Sequence, residues 1–193
     1  MLLLWGRSSS VGSSVIQLAV ASGYRVITTA SPSNYAYVKS LGASLVLDYH
    51  NPDIEDILIA ILRSESSETP SPDKPKLVGA YDAIGSDNTA RACARVVHAL
   101  GGGRVASVVS VPADGDLPRD VEFTRIASGN IISQEDGRVA RTIWGGWVPG
   151  ALASSALRAK PDELIVGRGL YYVQAGLDRQ REGVSATKVV ITL

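Results

Sequence analysis

Hydrophobic and polar positions follow two alternating patterns along most of the chain. Short runs of apolar and β-branched residues indicate buried strands, and longer segments with apolar positions three or four residues apart indicate helices. The predicted strands are residues 2–5, 25–28, 45–48, 77–82 and 104–109. The predicted helices are residues 11–22, 34–41, 54–63 and 89–100. This alternation predicts an α/β fold with a doubly wound parallel sheet covered on both faces.

Glycines and one polar segment interrupt this pattern. Gly23, Gly42 and Gly101 follow the predicted helices, where a glycine can adopt the left-handed conformation that ends a helix. Residues 64–76 are polar and proline-rich, so they are predicted to form a mobile loop, with an interdomain linker as the alternative. A chain of 193 residues suffices for one full core and a small appended lobe.

The beginning of the chain predicts a dinucleotide site. An apolar strand leads through a serine-rich turn into a helix, whose first N–H groups have no internal acceptor and can bind a diphosphate. In the frame of the G-x-G-x-x-G fingerprint, Gly12 retains the third position, whereas Ser9 and Arg7 occupy the other two. A serine-rich turn without a ligand remains the alternative.

The end of the second strand bears on which dinucleotide is bound. NAD sites place an acidic residue about 20 residues beyond the glycines, where it accepts hydrogen bonds from the ribose. Residues 27–34 contain no carboxylate, so a 2′-phosphate is tolerated and NADPH is favoured over NADH. The alternative is that residues 31–34 only cap the next helix. A site for S-adenosylmethionine, a third alternative, also requires an acidic residue there.

Composition excludes several function classes. Lysine plus arginine equals aspartate plus glutamate at 19 each, which disfavours nucleic-acid and membrane partners. The first apolar run breaks at Gly6, too early for a membrane span or a signal peptide. Cys93 is the single cysteine, and His50 and His98 are distant in sequence, so no metal site is expected. We expect a cytoplasmic protein.

Two further patterns have simple structural explanations. Tyr35 and Lys39 match the Y-x-x-x-K spacing of short-chain dehydrogenases, but they follow the second strand and are predicted to lie on a helix surface. Trp144 and Trp147 are predicted to share one side of an interrupted helix within residues 139–157, where they pack in the core or against a second subunit.

The string LLWGRSSSVGSSVIQLAVASGYRVITTASPSNYAYVKSLGASLVLDY, followed later by YDAIGS, carries a family resemblance. It resembles the nucleotide-binding domain of zinc-independent medium-chain dehydrogenase/reductases, most of all quinone oxidoreductases and fungal trans-enoyl reductases. Residues 165–170, 175–177 and 183–190 are similar to the family's last strand, helix and strand. The resemblance therefore implies a Rossmann sheet in residues 1–160 and a small C-terminal strand–helix–strand extension in residues 161–193, a remnant of the catalytic domain.

The resemblance also implies a set of cofactor-binding residues. They are Ser8, Ser9, Ser10 and Val11 at the diphosphate, Ser31, Pro32, Ser33 and Asn34 at the adenosine 2′-phosphate, Tyr49 near the adenine, Ile84 and Gly85 toward the nicotinamide, and Val184 and Ser185 in the C-terminal motif. Many quinone reductases carry a lysine where this chain has Asn34. No catalytic residue is assigned, and an ordinary half-buried aromatic is the alternative for Tyr49.

The implied function is an NADPH-dependent oxidoreductase that reduces an activated C=C bond in an enoyl or quinone-like substrate. The expected substrates are small molecules, including a polyketide or enoyl thioester, and a homodimer is considered. Family members begin with a barrel-like domain that this chain is expected to lack, so catalysis by the short form is expected to be weak. A non-catalytic dinucleotide-binding or scaffold protein is the alternative.

Overall fold

The computed structural model describes residues 1–6, 9–66, 75–109, 117–133 and 137–193. Within them, a six-stranded sheet has the order β3-β2-β1-β4-β5-β6, and every neighbouring pair is parallel. Its strands are β1 (Leu2–Trp5), β2 (Val26–Ala30), β3 (Leu45–Asp48), β4 (Ala80–Asp82), β5 (Gly103–Ser107) and β6 (Val121–Arg125). This order is that of dinucleotide-binding α/β folds, so the predicted fold class is confirmed.

Helices connect consecutive strands of the sheet. They are α1 (Ser10–Ala21), a 3₁₀ turn (Pro32–Asn34) leading into α2 (Tyr35–Ser40), α3 (Ile54–Glu65) and α4 (Asp87–Ala99). Gly23, Gly42 and Gly101 have φ values of 81°, 107° and 97°. The predicted left-handed glycines after α1, α2 and α4 are thus confirmed.

Several predicted boundaries were wrong. The strand predicted at residues 77–82 begins at Ala80, because Gly79 has φ of 148° and a Cβ there would lie 2.5 Å from the Arg104 carbonyl oxygen. Helix α4 begins at Asp87 rather than Thr89, since Ser86 and Thr89 form a reciprocal capping box. Helix α3 continues to Glu65, so the polar segment starts later than predicted, and its residues 67–74 lie outside the described ranges.

Strand β6 was not predicted. Its residues Val121–Arg125 pair in register with β5, but only Val121 is buried. An edge strand with mostly solvent-accessible side chains lacks the continuous apolar run by which a central parallel strand is identified.

The core consists of two apolar clusters, one on each face of the sheet. Successive strand residues point to opposite faces, so Leu3 and Trp5 belong to the cluster under α3 and α4, while Leu4 belongs to the cluster under α1 and α2. Leu58 of α3 is fully buried in the first cluster, and Val38 of α2 is fully buried in the second. The helices are therefore fixed on both faces by apolar burial.

A helical region and a second, smaller sheet follow the main sheet. The helical region contains α5 (Asn130–Ser133), α6 (Arg138–Ala140), a π-helical stretch (Arg141–Trp147) and α7 (Val148–Ala153). The second sheet pairs β7 (Asp162–Arg168) in parallel with β8 (Thr187–Thr192), joined by a 3₁₀ turn (Leu170–Tyr172) and α8 (Val173–Arg181). This strand–helix–strand unit agrees with the predicted extension. Its interpretation as a remnant of a catalytic domain stays a prediction.

Contacts from the main sheet's helices hold the later segments in place. The Gln17 side chain of α1 accepts a hydrogen bond from the Arg158 N–H (2.8 Å) and donates one to the Arg158 carbonyl (3.1 Å). The predicted interruption of the helix in residues 139–157 is confirmed by the π-helical stretch. The prediction of core packing is wrong for Trp144, because its side chain is 55% exposed within the chain. No helix among the described residues combines the length and apolar character that crossing a membrane requires.

Truncation of Leu58 tests the packing of α3 on the sheet. We expect Leu58→Ala to lower the free energy of unfolding by about 2–5 kcal/mol, because it leaves a cavity at a fully buried site. Leu170→Ala, at a residue that is 75% exposed, should change it by no more than about 0.5 kcal/mol and serves as the control. Urea denaturation measures both values. Equal effects of the two substitutions would contradict this packing.

Candidate functional site

All six strands of the main sheet direct their carboxyl ends to one edge. The chain turns from β1 to β2 and β3 on one side and to β4, β5 and β6 on the other, so the connections diverge between β1 and β4. Ligands of such sheets bind in the crevice outside the carboxyl ends at this switch point. The loops after β1, β2, β3 and β4 contain the predicted cofactor residues that precede α4.

The loop after β1 ends in a capped helix start. Ser9 is the N-cap of α1: its hydroxyl donates to the Gly6 carbonyl (2.9 Å) and accepts from the Gly12 N–H (3.0 Å). The N–H groups of Ser10 and Val11 occupy the first helical positions, where no intrahelical acceptor exists. The first turn contains no acidic residue, so nothing in it repels an anion. Predicted residue Ser8 lies outside the described residues.

Close packing joins the loops after β1 and β4. Gly6 has φ of 86°, and a Cβ on it would lie 2.3 Å from Cγ1 of Ile84. Gly85 has φ of 76°, and a Cβ there would lie 2.6 Å from Cγ1 of Val109. Only glycine suits these two positions, because any side chain would meet both steric overlap and an unfavourable backbone conformation. The structure therefore places Ile84 against Gly6, directly after β1, and Gly85 against Val109, after β5.

Residues 31–34 form a hydrogen-bonded network instead of a helix cap. Asn34 is 8% exposed, and its side-chain nitrogen donates to the hydroxyl oxygens of Ser31 (3.0 Å) and Ser185 (2.8 Å). The Ser31 and Ser33 hydroxyl oxygens are 3.2 Å apart. Neither Ser31 nor Asn34 makes a side-chain capping bond at its helical turn. Simple capping, the alternative from sequence, therefore does not explain these side chains.

Ser185 of the C-terminal motif is part of this network, although it lies 151 residues after Asn34 in the chain. Ser185 lies between α8 and β8, and its carbonyl oxygen accepts a hydrogen bond from the Thr187 hydroxyl (2.9 Å). Ala186 has φ of 49°, a conformation uncommon for residues with a Cβ, and it turns the chain directly after Ser185. The structure thus brings Ser185 together with Asn34, and it places Val184 next to this contact in the chain.

Tyr49 follows β3 at the same edge. Its side chain is 44% exposed, and its ring lies beside that of His50 with centroids 4.0 Å apart and an interplanar angle of 34°. His50 is hydrogen-bonded to the Asp48 carboxylate (2.8 Å). The role of Tyr49 near an adenine stays a prediction. An ordinary half-buried aromatic, the alternative for Tyr49, also stays a hypothesis.

The sequence-based site omitted Asp82, the last residue of β4. One carboxylate oxygen of this fully buried side chain accepts from the N–H groups of Ile84 and Gly85, each at 3.1 Å. The other accepts from the hydroxyls of Thr89 and Ser107, also at 3.1 Å. Asp82 thus holds the loop after β4 against α4 and β5. An aspartate followed by a tight glycine turn is a sequence signal for this arrangement.

Burial near Asp82 raises the pKa of two neighbouring side chains. Desolvation, reinforced by the Asp82 charge, raises the pKa of the Tyr81 phenol. The pKa of the fully buried Cys93 thiol is raised well above its usual value, chiefly by desolvation and then by Asp82 and Glu55. Both side chains stay protonated at neutral pH, so Cys93 is not an available thiolate nucleophile.

A cavity of about 560 Å³ lies at the opposite edge of the sheet and is not associated with the predicted site. Its lining includes residues 76–79 before β4 and residues 99–103, from the end of α4 to the first residue of β5. These segments enter the amino ends of parallel strands, away from the edge that binds ligands in folds of this class. Among the described residues, no three His, Cys, Asp or Glu side chains form a group that could hold a metal ion.

Comparisons with known proteins reveal relatives along the full chain. The trans-enoyl reductase himH of Aspergillus japonicus is 39% identical over 196 residues, which cover 100% of this chain and 52% of himH. The dehydrogenase orsE of Emericella nidulans is 34% identical over 193 residues, covering 100% of this chain and 51% of orsE. The chain therefore spans about half the length of these relatives. No protein-family model matches it.

A solved structure supports the fold independently. The CurK enoyl reductase superposes with a TM-score of 0.71 over 99% of this chain and 54% of its own, at 15% identity. At this level of identity the likeness is one of fold. Along its whole length the chain is therefore homologous to fungal trans-enoyl reductases and dehydrogenases, of which it spans about half, and it shares the fold of the CurK enoyl reductase.

Proposed function

We propose that this chain is the NADPH-binding part of a zinc-independent oxidoreductase that reduces an activated C=C bond. The proposal rests on one observation: an acid-free helix start and a cluster of hydroxyl groups flank the same carboxyl edge in a relative of trans-enoyl reductases. A dinucleotide requires such an edge because its diphosphate and its adenosine end must be bound together.

The residues at this edge suit a dinucleotide phosphate. The N–H groups of Ser10 and Val11 can donate to the diphosphate, with the Ser9 hydroxyl holding the turn below them. The hydroxyls near Asn34 lie after β2, where the adenosine ribose is bound in this fold. Since residues 31–34 contain no carboxylate, no negative side chain in that segment repels a 2′-phosphate.

The loop after β4 positions the other end of the cofactor. Asp82 fixes the N–H groups of Ile84 and Gly85, so this loop can limit how the nicotinamide ring lies in the crevice. When bound, NADPH supplies the hydride that adds to the β-carbon of the substrate, and a proton then adds at the α-carbon. The chain's contribution is orientation and exclusion of water, on which such a transfer depends.

The substrate class follows from the relatives and not from a side chain of this chain. We propose an enoyl thioester or quinone-like small molecule, and we assign no catalytic residue here. Residues 1–160 form the NADP-binding domain in this proposal, and residues 161–193 are a remnant of the catalytic domain. A cytoplasmic location and a homodimer remain part of the proposal.

Reduction of an enoyl thioester tests the proposed reaction. We expect the 193-residue chain to bind NADPH and to oxidise it slowly in the presence of a crotonyl thioester, because misplacement by an ångström can cost about a hundredfold in rate. Nicotinamide fluorescence measures binding, and loss of reduced-nicotinamide absorbance measures turnover, with a butyryl thioester as the saturated control. Binding without any thioester-dependent oxidation would favour the non-catalytic alternative.

A charge at the start of α1 separates helix stability from cofactor binding. Ser10→Asp should stabilise the helix by about 0.3–1 kcal/mol through the helix dipole. The same carboxylate should weaken the binding of both NADPH and NADH by about tenfold or more, because it repels the diphosphate. Ser22→Asp, at the other end of α1, is the matched control and should leave both affinities unchanged. Unaltered binding by Ser10→Asp would contradict the diphosphate assignment.

A charge at Ser33 tests the preference for a 2′-phosphate. The Ser33 side chain is exposed, so Ser33→Asp should fold normally and weaken NADPH binding by about tenfold while sparing NADH. Ser44→Asp introduces the same charge at an exposed position before β3, on the opposite edge, and should affect neither cofactor. Fluorescence titration with each cofactor gives the ratio of the dissociation constants for NADPH and NADH. An equal loss of affinity for NADPH and NADH would show that the 2′-phosphate does not lie near Ser33.

A further inference from the structure

Asn34 connects two segments that are distant in sequence but adjacent at the site. Its side chain is almost completely buried, and both hydrogens of its amide group are donated, one to Ser31 and one to Ser185. The hydroxyl of Ser31 also contacts that of Ser33. One buried amide thus organises three serine hydroxyls, two from the loop after β2 and one from the C-terminal strand–helix–strand unit.

The direction of these hydrogen bonds determines what the serines offer to a ligand. Each hydroxyl has one hydrogen to donate and two lone pairs that accept. Since Ser31 and Ser185 accept from Asn34, their own hydrogens are not used in those two bonds. The three hydroxyls have three hydrogens, and the contact between Ser31 and Ser33 uses one of them. Two donors therefore remain within this network for a ligand outside it.

We propose that Asn34 is a positioning residue that holds the hydroxyls of Ser31 and Ser185, and through Ser31 that of Ser33, so that two of the three donate to the 2′-phosphate of NADPH. This inference rests on the proposed function and adds a physical basis for selectivity without a cation in residues 31–34. Hydrogen bonds to an ionised acceptor are roughly twice as strong as neutral ones, so two oriented hydroxyls favour a bound phosphate without a cationic side chain in this segment.

The arrangement also assigns a role to the C-terminal unit. Ser185 is exposed, whereas the amide that it contacts is buried. The Thr187 hydroxyl and the left-handed Ala186 hold the Ser185 backbone next to Asn34. In this proposal, selectivity for NADPH therefore depends on residues from both ends of the chain and requires that the hydrogen bond between Asn34 and Ser185 is kept.

Binding of NADPH and NADH to variants of the 193-residue chain tests this inference. Asn34→Ala and Ser185→Ala should each weaken NADPH binding by about tenfold and NADH binding by no more than about threefold. The double variant should lose little more affinity for NADPH than either single variant, because both substitutions disrupt the same network. Ser185→Thr retains the hydroxyl and should retain the affinity for NADPH. Isothermal titration calorimetry measures each dissociation constant.

Two outcomes separate this inference from the proposed function. If the unsubstituted chain binds neither cofactor, the proposed function is wrong and the inference is overturned with it. If it binds NADPH but both alanine variants keep the ratio of the two affinities within about twofold, Asn34 has only a structural role and the inference alone is overturned. Should Asn34→Ala unfold, the exposed Ser185 position supplies the same comparison, with Ser185→Thr as its control.

Discussion

The parallel direction of the six strands is the constraint on which the candidate site depends. A parallel sheet places every strand's carboxyl end at one edge, so Ser9, Asn34 and Gly85 approach that edge although long helices separate them in the chain. The apolar clusters on both faces maintain this arrangement because they fix the helices that connect the strands. The polar site thus depends on the two apolar clusters that hold the helices on the sheet.

Two buried polar side chains organise the loops at the carboxyl edge of the sheet. Asp82 accepts four hydrogen bonds and holds the loop after β4, and Asn34 donates two and joins the loop after β2 to Ser185. Such groups tolerate burial only when hydrogen bonds satisfy them. They therefore make each loop adopt one arrangement, which is the property that a binding site for an extended cofactor needs.

Most elements of the main sheet followed from local pattern, and the errors have identifiable causes. Apolar runs located β1 and β3 with their observed bounds, whereas β6 was missed because its edge position leaves polar side chains in solvent. The start of α4 was predicted two residues late because its capping box pairs Ser86 with a threonine, not with the glutamate or glutamine by which such a box is identified in sequence. Trp144 was predicted to be in the core or at a subunit contact, and its exposure within the chain excludes the first choice.

Local sequence was sufficient for the fold class, for a helix start soon after β1 and for the lack of a carboxylate after β2, since these depend on neighbouring residues. The family resemblance identified Asn34 and Ser185 as candidate cofactor-binding residues. Only the folded chain determined that these two side chains share hydrogen bonds, that Asp82 supports Gly85, and that Gly6 packs against Ile84. Contacts over such separations depend on how helices and strands pack in three dimensions, which no short stretch of sequence encodes.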